Sequence, residues 1–557
     1  MASAPAKTAP RPKAVLILAA LAALAVTWLE APWLVWLLAV AAVAVLVAVK
    51  GRKTARWWRQ YAAARRRDQT QGEATWLEKR RKLSARAAAG RTRGLPADQA
   101  AVVVGTSGGQ KVTVARFDGK LLLAPPRTWK TALLCDWINQ APGSLVASSS
   151  RGDLLEHTYE QRRKHGNVWI LDADGYSGFA TNFSWNMVSG CRNPNTAMRR
   201  AGELIGASPR DPTGRDRFHE DRGMRLIYCC MNAAAAVSGT MHHVDEWVDA
   251  ALDSDEPYRI LRTNPNAYIP FATELRGLLD CENPGGVVAA ARAALGWMKD
   301  PVLAAVVNPP GSGAGEAFNP RRFLHEGTGS LYLIGVHRER GSFAPLFAAI
   351  VSELWDSARH VAERSPGRRL PRPHTMALDE IMTTVPVDAW LWAALAAGYG
   401  VELIAAVQAM SQMYARWGEQ NARTYRECTP VTLIGGGFTD WQNLEAISKF
   451  CGPERDLDRD GREHPVFSPQ RLHQLDPWHG LLLARGARPV EVKVTPVWDA
   501  PGYTPVVLPE AEPELDVDAA PLLPAPEVPA GLPDGDDIAD GELEDKPRPE
   551  IEGKEAA

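Results

Sequence analysis

Lys130 and Thr131 stand where an ammonium and a hydroxyl can handle phosphate. They follow the apolar run Leu121-Leu122-Leu123 and a tight Pro125-Pro126 turn, and a helical pattern begins beside them. A strand, a turn and a helix N-terminus in that order make a phosphate-cradling loop, with lysine on the β- and γ-phosphates and the Thr hydroxyl on magnesium. The loop reads Ala124, Pro125, Pro126, Arg127, Thr128, Trp129, Lys130, Thr131. Measured against G-x-x-x-x-G-K-[ST] it lacks both glycines, whose places are taken by Ala124 and Trp129. A Lys-Thr pair after a strand is common, so this segment alone decides nothing.

Far downstream, the run from His374 to Glu380 (HTMALDE) is a short apolar strand ending in two carboxylates. A phosphate-cleaving site needs such a pair: Asp379 to order magnesium and its water, Glu380 to polarise the water that attacks the γ-phosphate. The competing reading is a loop start or helix N-cap that happens to carry acids. A further apolar strand, Val401 to Val407, ends in Gln408, where a γ-phosphate sensor would stand. Lys-Thr, Asp-Glu and Gln, each ending a strand, together predict an α/β nucleotide-binding fold that uses ATP and Mg2+.

The elements that must position these groups follow from hydrophobic period. Over 100–195, strands (120–124, 144–148, 168–172) alternate with helices near 131 and over 154–164, the start of a parallel sheet covered by helices. Strand signals vanish over 196–315, where 197–205, 221–237, 244–251, 271–279 and 286–297 read as amphipathic helices, an all-α domain inserted into the sheet domain. Sheet pattern resumes over 316–504 with 330–335, a long helix over 343–363, the carboxylate and Gln408 strands, 431–435, and a closing hairpin over 481–494.

The net charge of −2 conceals an asymmetry. Residues 1–95 carry an excess of roughly fourteen positive charges and 505–557 an excess of roughly thirteen negative ones. Two apolar stretches, 14–29 and 33–49, are separated by Glu30-Ala31-Pro32, which predicts a two-helix membrane hairpin over 1–50. Basic residues flank both ends, so both termini are expected in the cytoplasm, with the chain in the inner membrane. A cleavable signal peptide is the alternative for the first stretch, but no good cleavage site precedes the second. The basic stalk over 51–99 fits either anionic lipid or DNA phosphate. The Pro-, Ala- and acid-rich tail over 505–557 is expected to be disordered. Seven scattered cysteines without a C-x-x-C pair argue against a disulfide framework or a zinc site, and Cys229-Cys230 read as core.

Several further runs complete a pattern: Ser148-Ser149-Ser150-Arg151-Gly152-Asp153, Val168 to Asp172, Phe183-Ser184-Trp185-Asn186, the alanines 233–236, and Val407 to Gln412 with Arg416-Trp417-Gly418. In order and spacing the chain resembles the coupling proteins of type IV secretion systems, the TraG/TraD-type conjugative DNA-transfer ATPases, over about 121–494 and the anchor. That resemblance implies a RecA-like P-loop domain in a homo-hexamer, DNA in a central channel, and contacts with channel proteins and with relaxosome or substrate proteins, for which the acidic tail is a candidate. It assigns phosphate binding to Lys130, magnesium to Thr131 and Asp379, water activation to Glu380 and γ-phosphate sensing to Gln408.

Two departures from the family stand out. Trp129 must turn its indole away from the phosphates, in a position whose backbone angle glycine tolerates better. Gly398-Tyr399-Gly400 stands where relatives often carry Gly-Arg, an arginine finger, and Arg416 or Arg338 would have to substitute. The chain is therefore either a working ATPase with an unusual loop or a pseudo-ATPase that serves as a scaffold. A septal DNA pump of the FtsK/SpoIIIE kind is a third reading, but nothing in the tail resembles its winged-helix domain.

Overall fold

The computed structural model describes residues 99–506, apart from Tyr176 and the segments 209–216, 310–316, 337–341, 454–464, 500–502 and 504–505. The expected anchor (1–50), the stalk up to residue 98, the tail apart from Val506, and Arg338 lie outside the described residues. Among the described residues, no helix is long and apolar enough to cross a membrane.

Among the described residues eleven strands are formed: β1 (Ala101–Ser107), β2 (Gln110–Ala115), β3 (Lys120–Leu123), β4 (Ser144–Ser149), β5 (Val168–Asp172), β6 (Ser330–Ile334), β7 (His374–Leu378), β8 (Val401–Val407), β9 (Val431–Gly435), β10 (His479–Ala484) and β11 (Val490–Lys493). They make one sheet in the order β2-β1-β11-β10-β9-β3-β8-β7-β4-β6-β5. From β9 to β5 all pairs are parallel. From β9 to β2 all are antiparallel.

The hairpin expected over 481–494 forms as β10 and β11, but it does not close the sheet. β11 pairs onward to β1, at Thr106 opposite Lys493, and β2 is the edge. The β1–β2 hairpin turns at Gly108-Gly109, both at positive φ (55° and 80°), the conformation that two-residue hairpin turns require.

The central strands are buried on both faces and their side chains alternate between two cores. Leu121, Leu123, Val146, Leu171, Met376, Leu378, Leu403 and Val407 face one side. Leu122, Ala124, Ala147, Ile170, Ala377, Ile404 and Ala406 face the other. That second face is covered by α1 (Lys130–Asn139) and α2 (Asp153–Arg162) through Leu133, Leu134, Trp137, Leu154 and Leu155.

After β5 the described residues form α3 (Pro194–Ala207), α4 (Arg217–Ala236), α5 (Met241–Asp249), α6 (Glu256–Thr263), α7 (Pro270–Leu279), α8 (Pro284–Leu295) and α9 (Pro301–Val307). They share the first core with the sheet and with α11 (Ala344–Glu363), which follows α10 (Pro320–Glu326). α4 runs through the middle, with Cys229, Cys230 and Ala233 to Ala236 all buried. Small side chains allow close helix contact here. A Cβ built on Gly223 would lie 2.9 Å from the Ala291 backbone nitrogen in α8. α6 lies beyond the expected set because it buries only Pro257 and Leu261, too few apolar positions to make a period.

At the amino ends of β3, β8 and β7 a buried charge cluster ties the sheet together. Glu402 accepts from Arg116 at 3.0 Å, from Lys120 at 2.7 Å and from the Thr375 hydroxyl at 3.2 Å. Burial alone would raise the Glu402 carboxyl, but Lys120 and Arg116 outweigh it and hold it below the ordinary glutamate value. This end of the sheet is therefore fixed by ionic contacts, which leaves the carboxyl end free for chemistry.

Candidate functional site

β3, β8 and β7 are neighbours, with β8 between the other two. Their carboxyl ends therefore bring the Ala124–Thr131 loop, Gln408 and the Asp379-Glu380 pair onto one edge of the sheet. The Ala124 backbone N–H donates to the Val407 carbonyl at 3.2 Å, which fastens the start of the loop to the end of β8. The Lys130 ammonium folds back over the loop and donates to the carbonyls of Ala124 (2.5 Å) and Pro125 (2.7 Å). Thr128 closes the turn through its hydroxyl to the Pro125 carbonyl at 2.9 Å. Pro126 and Arg127 lie on the exposed rim, and Thr131 is half-buried in the first turn of α1.

That first turn carries no acidic residue and no side-chain cap. Its leading backbone N–H groups and the positive end of the helix dipole suit an anion.

Asp379 is buried, and its backbone is fixed by its N–H to the Ser148 carbonyl (3.1 Å) and by the Thr384 hydroxyl on its own carbonyl (2.7 Å). Burial, reinforced by Glu380 and Asp153, pushes its carboxyl up to about 7, against the pull of Lys130. The Lys130 ammonium is in turn lowered by burial, with Asp379 and Glu380 opposing that shift. Lys130 and both carboxylates therefore share one electrostatic neighbourhood. Two acids facing one ammonium, beside a hydroxyl at a helix N-terminus, make a donor set that fits a magnesium ion shared with phosphate oxygens and water. Among the described residues there is no group of three or more His, Cys, Asp or Glu side chains able to hold a metal unaided.

Trp129 answers the main question raised by the sequence. It is fully buried, and its indole N–H donates to the His479 carbonyl of β10 at 2.9 Å. The ring thus points into the second core and away from the phosphate side of the loop. The expectation about its backbone angle is corrected: Trp129 sits at φ −71°, ψ −1°, an ordinary helical conformation. The left-handed position belongs instead to Arg127, at φ 59°.

Room for the two departures comes from glycines on adjacent strands. A Cβ on Gly435 would lie 2.6 Å from the Ala124 Cβ, and one on Gly480 would lie 3.1 Å from the Trp129 ring. Gly435→Ala therefore clashes with Ala124 and is expected to destabilise by about 1–3 kcal/mol. Adding Ala124→Gly should recover most of that loss, and thermal unfolding of the single and double variants checks it. Equal Tm values for Gly435→Ala with and without Ala124→Gly would contradict the pairing.

Gln408 and Glu380 are in direct contact, the Gln408 amide N–H donating to the Glu380 carboxylate. Arg416 is engaged elsewhere, donating to the carbonyls of Gly206 and Pro386, so it braces the helical layer. Tyr399 lies at the amino end of β8, the end opposite Gln408. In the sequence Asp153 stands out only as part of a run, and neither it nor Gly435 nor Gly480 had been assigned to the site. The Gly435-Gly436-Gly437 run at the end of β9 was the available signal for one of them.

A family model described as the TraM recognition site of TraD and TraG matches residues 373–474, the stretch that begins at the carboxylate strand. The chain matches solved structures of the plasmid coupling protein TrwB. The complex with a non-hydrolysable GTP analogue has TM-score 0.52 and 18% identity, over 68% of this chain and 86% of that one. This is the fold of a conjugative coupling protein. An unbound form of the bacterial conjugative coupling protein TrwB gives TM-score 0.53 at 18% identity, over 71% and 89% of the two chains. The TrwB complex with ADP and Mg2+ gives 0.51 at 19% identity, also over 71% and 89%. No curated protein matches the sequence. The resemblance to type IV coupling proteins read from the sequence thus stands, and the described body carries the coupling-protein fold.

Proposed function

We propose that the chain is a membrane-anchored, ATP-driven coupling protein, a DNA translocase that delivers DNA or a relaxase–DNA complex to a type IV secretion or conjugation channel. The observation that carries this reading is the meeting of Lys130, Asp379-Glu380 and Gln408 at the carboxyl ends of three adjacent strands, with the Trp129 ring turned away. Lys130 binds the β- and γ-phosphates, with backbone donors from the loop and the first turn of α1. Thr131 and Asp379 would hold magnesium, which would supply charge neutralisation for the phosphates. Glu380 takes a proton from water as the water oxygen bonds to the γ-phosphorus. The bond from that phosphorus to the bridging oxygen breaks, and its electron pair leaves with ADP.

On this reading the chain works as a homo-hexamer in the inner membrane, held by the two-helix hairpin over 1–50, with both termini in the cytoplasm. DNA occupies the central channel. Channel proteins and relaxosome or substrate proteins are the macromolecular partners, and the helical layer over 196–315 stands as a domain on the sheet domain.

DNA binding by the 557-residue chain tests this reading. Affinity should be measurable at low salt and should fall steeply as salt rises, because phosphate contacts release counterions. Failure to bind DNA even at low salt would contradict the translocase reading.

A further inference from the structure

We infer that Gln408 is a positioning residue for Glu380, its side-chain amide holding the glutamate carboxylate where the attacking water must be deprotonated. This rests on the ATPase reading above and deepens it, since a γ-phosphate sensor as such needs no contact with the glutamate.

The contact is direct. The Gln408 amide N–H donates to Oε1 of Glu380, and an ionised carboxylate can only accept, so the amide nitrogen and not its oxygen must face it. Both ends of the contact are fixed at the backbone. The Gln408 N–H donates to the Gln412 side-chain carbonyl at 3.1 Å, and the preceding Val407 carbonyl holds the phosphate loop through Ala124. Glu380 sits in a left-handed turn, at φ 48°. Its carbonyl accepts from the backbone N–H groups of Thr383 (2.8 Å) and Thr384 (3.0 Å), and its own N–H donates to Asp379 Oδ1 at 3.1 Å.

A non-glycine residue in that region is held there only by surrounding contacts, and such positions cluster at functional sites. The turn aims the Cα–Cβ bond of Glu380, and the Gln408 amide then selects among its side-chain rotamers. One amide hydrogen is used for this, and the second remains to donate to a phosphate oxygen or a water. A single side chain can therefore register both the triphosphate and the base.

A double-mutant cycle tests this on the full chain, with Gln408→Ala, Glu380→Ala and the pair. If Gln408 works through Glu380, Gln408→Ala lowers kcat about 100-fold. In the Glu380→Ala background it should lower kcat no further. Affinity for ADP, which offers Gln408 no γ-phosphate, should be unchanged in Gln408→Ala. Gln408→Glu, of nearly the same shape, turns the donor into an acceptor and should lose as much activity without disturbing the fold.

The inference is overturned if Gln408→Ala costs the same factor with and without Glu380. It is also overturned if its effect is a lost preference for the triphosphate analogue with kcat intact. A wild-type chain that does not hydrolyse ATP overturns the ATPase reading and the inference together, and this is read from the wild-type arm alone.

Discussion

Trp129→Gly, which writes the second glycine back into the loop, destabilises the protein by about 3–5 kcal/mol instead of improving its activity. Seen only as a motif position, Trp129 looks like damage to be repaired. In the fold it is a core residue with no solvent exposure, hydrogen-bonded to β10 and packed in the space left by Gly480 and Gly435. Removing the indole opens a cavity under the phosphate loop and leaves the His479 carbonyl without that donor. The backbone gains nothing in exchange, because Trp129 already holds a helical angle open to any residue. Denaturant or thermal unfolding of the variant checks the loss, and Trp129→Phe should lose less because it keeps most of the volume. A variant that hydrolysed ATP faster with unchanged stability would mean that the indole does obstruct the phosphates.

Glu380→Gln should lower ATP turnover by about 10²- to 10⁴-fold, the range for loss of a general base, while affinity for a non-hydrolysable ATP analogue persists. The substitution preserves shape and removes the negative charge that, on the proposed function, accepts the proton. Lys130 and the α1 N-terminus, to which the proposed function gives the phosphate contacts, are left in place. Turnover and analogue affinity falling together would instead point to a binding role for Glu380. Turnover unaffected by the change would remove it from the chemistry.

Most of the candidate site could be read from the chain because each part is local. β7, β8 and β9 form over the expected residues, since each is a short, mainly apolar run with polar punctuation, the pattern of a strand buried on both faces. The sequence places Lys130, Asp379, Glu380 and Gln408 at strand ends, and a parallel sheet then gathers strand ends on one edge. What could not be read was how side chains exchange volume between strands. That Gly435 accommodates the methyl group of Ala124, and Gly480 the Trp129 ring, depends on pairs separated by hundreds of residues. The same limit applies to Gln408 with Glu380, two polar residues whose contact appears only once β8 lies beside β7. The β1–β2 hairpin is a different case. It was missed, since no strand was expected before residue 120, although Val102, Val104, Val112 and Val114 alternate around Gly108-Gly109.

The most direct measurement is DNA-stimulated ATP hydrolysis by the 557-residue chain beside its Lys130→Ala variant. A working motor on this fold hydrolyses ATP, does so faster when DNA is added, and loses both properties with Lys130. Hydrolysis no greater in the wild type than in Lys130→Ala, with or without DNA, would contradict the account and leave a coupling-protein fold that serves as a scaffold.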